Sequence, residues 1–151
     1  MPGELLWEHH FGPGQFSVNL YSVGHEGWYN PNTGEYIDGS DYQAWQYNFY
    51  IDPIDAFQQE GTPDTPIVYW LDVSAIPLDD LALFGWKTSL MHWNDDAVWG
   101  DSHQGPWNEL RYPGGHFFEG ESIDLAFVIT PEPATVALLG LGCLFIRRHK
   151  R

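Results

Sequence analysis

Ala44-Trp45-Gln46-Tyr47-Asn48-Phe49-Tyr50-Ile51 is the stretch on which the fold turns. Trp45, Tyr47, Phe49 and Ile51 fall on one side of an extended chain, and Gln46, Asn48 and Tyr50 on the other. Alternation at period two predicts a strand with one face toward a core. The same pattern recurs on both sides of it. Phe16, Val18 and Leu20 share a face after the Gly12-Pro13-Gly14 turn, and Ile67, Tyr69, Leu71, Val73 and Ala75 share one in the most regular run. Phe84, Trp86, Thr88 and Leu90 make a further run, and Ile123, Leu125, Phe127 and Ile129 the last. A short strand is also expected at Glu109-Leu110-Arg111-Tyr112.

The segments between these runs read as turns and loops. Residues 24–41 read as a long polar loop, with turn chemistry at Asn30-Pro31-Asn32-Thr33-Gly34 and at Asp38-Gly39-Ser40-Asp41. Glu35-Tyr36-Ile37 would be a short bridge between the two turns. Asp52-Pro53 opens a helical turn or two, with Asp52 as cap and Pro53 at the first helical position. No long amphipathic helix is legible before residue 130. The expected fold is therefore mainly β: one antiparallel sandwich or jelly-roll-like domain over residues 1–129.

Charge narrows the function classes. Of 21 Asp and Glu residues, 20 precede Pro131, and of six Lys and Arg residues only Lys87 and Arg111 do, a formal charge of −18. Such a surface repels phosphate backbones, so nucleic acid is excluded as a partner. Divalent cations or a cation-rich matrix suit it better. The aromatic fraction of 17% argues against disorder.

Residues 130–151 differ in kind from the rest. Thr130-Pro131-Glu132-Pro133 is followed by an uncharged run of 13 residues, 134–146, and then by Arg147-Arg148-His149-Lys150-Arg151. As a helix the run covers about 20 Å, short of a hydrocarbon core of about 30 Å. The basic end would hold the C-terminus on the cytoplasmic side. A plain C-terminal anchor or a buried helix would also accommodate the run.

The order of these three parts resembles the PEP-CTERM sorting signal of exported proteins of biofilm-forming and polysaccharide-producing bacteria. The resemblance implies an exosortase-type processing enzyme as partner, with Pro131, Glu132 and Pro133 as recognition element. Residues 134–146 would be a transient membrane helix, and Arg147, Arg148, Lys150 and Arg151 the retention signal. It covers about 22 of 151 residues.

A second resemblance covers residues 4–130. It rests on Trp28-Tyr29-Asn30-Pro31-Asn32-Thr33-Gly34, Trp45-Gln46-Tyr47-Asn48-Phe49, Val68-Tyr69-Trp70-Leu71-Asp72, Phe84-Gly85-Trp86-Lys87 and His92-Trp93-Asn94-Asp95-Asp96. These look like the second half of an uncharacterised domain of exported PEP-CTERM proteins. That implies a β-sandwich with further strands before Met1. The opening Met1-Pro2-Gly3-Glu4-Leu5 also has no secretory pattern. The expectation is a domain incomplete at its N-terminus, with apolar faces at Trp45, Tyr47, Phe49, Tyr69 and Leu71 left uncovered.

Few residues suggest chemistry. Asp95 and Asp96, flanked by Trp93 and Trp99, are the weak metal candidates, and a hard cation such as Ca²⁺ is what they would take. Turn capping, which needs no metal, is the plainer reading of the pair. Trp93 and Trp99 are the candidate carbohydrate contacts, with structural plugging as the plainer reading. No spacing of His residues suits zinc. A glycosidase pair of carboxylates has no specific support, and the chain reads as a non-enzyme without a cofactor. The expected function is an exported envelope or matrix protein, held at the membrane through 134–146 until processed. A module that binds polysaccharide is the alternative.

Overall fold

A computed structural model describes residues 1–79, 82–92, 96–100, 102 and 105–130. The described residues are β-rich and contain no helix. The sorting-signal residues, Trp93 and Asp95 lie outside them. Two compact units are present: Met1–Ile51 with Phe57–Ala126, and a second that contains Asp52–Ala56 and the described end of the chain from Phe127.

The dominant element is one long antiparallel hairpin. β1 (Phe16–Asn30) pairs with β2 (Glu35–Phe49), 15 residues each. The turn follows from its sequence. Asn30 Oδ1 accepts from the Asn32 N–H at 3.0 Å, and Asn30 O accepts from the Gly34 N–H at 2.9 Å. Gly34 has φ +74°, a backbone that glycine adopts without strain. From the open end, Phe16 pairs with Phe49, Val18 with Tyr47 and Leu20 with Trp45. Ser17/Asn48 and Asn19/Gln46 form the other face. One face is thus apolar and the other polar, as the period predicts.

The expected loop over residues 24–41 is instead mostly strand. The ladder shifts register between Leu20 and Ser22, Val23 and Glu26, and Glu26 and Trp28. The first two shifts each add one residue to β1 and the third adds two to β2, which breaks the period-two pattern without ending the pairing. The Asp38 to Asp41 stretch, read as a turn, lies inside β2.

The other strands are short. β3 (Thr88–Ser89) pairs with β6 (Asp124–Leu125), and β4 (Val98–Trp99) with β5 (Asn108–Glu109), all antiparallel. Residues 67–75 carry the cleanest alternation but join no sheet. Their anchor is Tyr69, whose ring meets Phe57 edge-on at 5.3 Å and whose hydroxyl accepts from the Glu60 N–H at 3.0 Å. Alternation makes a chain competent for a ladder, but a ladder also needs a neighbour of matching length. The helical turn expected after Asp52 is a single reverse turn. Asp52 caps it, accepting from the Ile54 N–H at Oδ1 (3.0 Å) and from the Asp55 N–H at its carbonyl (2.8 Å).

Three segments close a small core. The Ala97 N–H donates to Ile123 O at 3.1 Å, the Ile123 N–H to Leu110 O at 3.0 Å, and the Leu110 N–H to Ala97 O at 2.9 Å. These bonds form a ring. Leu110 and Ile123 project from it and are the buried apolar side chains among the described residues. Trp86 joins this region through its indole N–H, which donates to Ala126 O at 2.8 Å. Elsewhere apolar side chains stay open, with Trp45, Tyr47, Phe49 and Leu71 exposed and Tyr69 half-buried.

Candidate functional site

The largest assembly of side chains with a shared character is the apolar face of the hairpin. A chain of ring contacts crosses it. Trp7 stacks on His9 at 5.7 Å, His9 meets Phe11 at 4.6 Å, and Phe11 meets Phe49 at 4.8 Å. Phe49 lies 6.4 Å from Tyr47 at 13°, and Tyr47 meets Phe84 edge-on at 6.1 Å. Phe16 contacts both Tyr47 and Phe49. The N-terminal segment supplies its rings at every second residue, so an extended chain puts Trp7, His9 and Phe11 on one side. That alternation was readable but sits in too short a run to stand out.

A second aromatic group gathers where the loop after Tyr112 meets the hairpin turn. The His116 ring stacks on Tyr112 at 4.5 Å and 10°, and Tyr36 meets it edge-on at 5.4 Å. His116 Nδ1 accepts from the Phe118 N–H at 3.1 Å, which fixes the ring in its loop. Tyr36 also donates to Asp38 Oδ1 at 3.3 Å. Desolvation, and next the charge and hydrogen bond of Asp38, push the Tyr36 phenol above its ordinary pKa.

The two cations before residue 131 are both turned to structural use. Lys87 pairs with Glu26. Arg111 donates to Glu109 Oε2 from Nε at 3.1 Å and from Nη2 at 2.7 Å, and to Gly120 O from Nη1 at 3.2 Å. Its hydrogen bonds to Glu109, then the Glu109 charge, raise its pKa further.

Of the residues singled out in the sequence, Asp96 stands 3.9 Å from Arg111 Nη2, so the chain itself sets a cation beside this carboxylate. Trp99 is half-buried in β4, opposite Asn108. No group of three metal-ligating side chains occurs among the described residues. Among the described histidines, His10 lies beside Glu8 at 3.3 Å, His25 beside Asp38 at 4.0 Å and His92 beside Asp124 at 3.3 Å. The arrangement sets apolar rings on the hairpin face and pairs Lys87 and Arg111 with carboxylates elsewhere.

No curated protein and no solved structure matches the chain. A family described as a domain of unknown function (DUF7901) matches residues 1–130. The chain belongs to that family.

Proposed function

We propose that this protein is a non-catalytic module of the bacterial envelope or extracellular matrix, delivered through its C-terminal tail. The observation that carries the reading is the order of three parts: Pro131-Glu132-Pro133, the uncharged residues 134–146, then Arg147-Arg148-His149-Lys150-Arg151. An exosortase-type enzyme would recognise the first part, the bilayer would take up the second, and the basic end would stay in the cytoplasm until cleaved away. The charge of residues 1–130 supports it, because a −18 domain is soluble and draws the divalent cations that fill an anionic matrix. A long hairpin with one apolar and one polar face is how a layer of a β-sandwich is built.

The test replaces the recognition element in the natural host. Wild type and a Pro131→Ala/Glu132→Gln/Pro133→Ala variant are fractionated and blotted with an antibody to the domain. Wild type should appear as a shortened form in the envelope or matrix fraction, and the variant as full-length chain in the membrane fraction. Identical size and distribution of the two would overturn the reading.

A further inference from the structure

The hairpin face has a property that exposure alone does not give. Residues 9–25 and 42–51 contain no Asp, Glu, Lys or Arg, although 20 acids are spread over the first 130 residues. The ladder brings these two charge-free stretches side by side. The face they share carries Val18 (43% exposed), Leu20 (48%), Trp45 (49%), Tyr47 (43%) and Phe49 (41%), with Phe84 (40%) beside Tyr47. A strongly acidic domain therefore carries an uncharged apolar window on this hairpin face.

The window is also self-complementary. Across the ladder each pair sets an aliphatic side chain of β1 against an aromatic one of β2: Val18 with Tyr47, Leu20 with Trp45. A narrow row thus runs beside a wide row. A two-fold axis parallel to the strands, lying between two such faces, puts the narrow row of each copy on the wide row of the other. Stacked sheets pack in this way, with strands nearly aligned. Tyr47 and Phe49 lie within 13° of each other, but Phe16 is tilted 42° and 44° to them and Phe84 78° to Tyr47, so any flat platform for a sugar chain is only two rings wide.

We infer that the β1/β2 face is a self-association surface, and that its partner is a second copy of this chain packed face to face. The inference is independent of how the tail is processed. Four half-open rings with Val18 and Leu20 leave roughly 500 Å² per copy. Two copies would bury about 1,000 Å², the lower end of specific interfaces, so the dimer is weak and depends on concentration. Outside the window the copies repel. Salt that shortens the screening length strengthens association, the reverse of a dimer held by ion pairs.

The experiment is sedimentation by analytical ultracentrifugation of the full chain at low salt and at about 0.5 M NaCl. Wild type should be monomeric in the first and in reversible monomer–dimer equilibrium in the second. Val18→Lys and Tyr47→Glu should each abolish the dimer, whereas Leu78→Lys, at a residue 96% exposed elsewhere, should not. Mixing the Val18→Lys and Tyr47→Glu variants should restore a heterodimer at least about ten-fold tighter than either homodimer, because the new charges then face each other. Recovery on mixing also shows that both variants fold. A wild type that stays monomeric at high salt would overturn the inference. So would association indifferent to both substitutions, as the apolar run at 134–146 would produce, or a mixture that does not associate.

Discussion

Lys87 Nζ stands 2.5 Å from Glu26 Oε1, and this contact ties the middle of the long hairpin to the segment that becomes β3. Glu26 lies between two register shifts of β1, where the ladder is weakest. The pair spans 61 residues of sequence. One of only two cations before residue 131 is therefore placed where the sheet needs a brace.

Both partners are about one-third exposed, which limits what the contact contributes. Lys87→Met should destabilise the fold by up to about 1 kcal/mol in urea titrations at low salt, and by less as salt rises. A double-mutant cycle with Glu26→Gln should return most of that as coupling. Additive losses would show that the contact contributes nothing.

Ile123 is 2% exposed and sits on the ring of backbone hydrogen bonds. Ile123→Ala should cost about 2–5 kcal/mol, the range for emptying a buried aliphatic site. Leu78→Ala, at a residue 96% exposed, should stay within about 0.5 kcal/mol of wild type. Equal effects at the two positions would mean that the core is not where the structure places it.

Gly39 has φ +65°, and a methyl group there would run into the His25 ring. Gly39→Ala should cost about 1 kcal/mol or more, from strain and contact together. Adding His25→Ala should recover the contact part and leave the backbone part. Chemical denaturation of the single and double variants separates the two.

The Tyr36 phenol titrates above its ordinary value of 10.0, chiefly by desolvation and then by Asp38. The folded state therefore holds the proton more tightly than the unfolded chain. Its contribution to stability is present below the unfolded pKa and is lost as pH rises through the folded one. In a titration of tyrosinate absorbance, Asp38→Asn should move one phenol part of the way back. Complete return would make Asp38 the whole cause.

The strand expected over residues 44–51 was legible as far as Phe49, where β2 ends, and Asn30 to Gly34 as a turn, because each rests on local chemistry that neighbours do not alter. The length of the hairpin was hidden by its bulges, which put Gly27, Asp38 and Gly39 into a ladder that such residues usually end. Residues 67–75 mislead for the opposite reason: the alternation is present, but no strand among the described residues pairs with it. Asp96 was singled out as one of two adjacent acids, but what stands beside it is Arg111, fifteen positions on, and no spacing rule connects them. The aromatic face was visible as separate strands. Its continuity through Phe11 and Phe84 depends on tertiary contacts that a sequence pattern does not carry.

The ring made by Ala97, Leu110 and Ile123 has a kinetic consequence. Each residue gives one bond to the next and takes one from the last, so no bond in it is terminal. A frayed end can open a ladder one rung at a time, but a closed circuit offers no first rung. Its three amides should exchange with solvent at a common rate, in one cooperative opening.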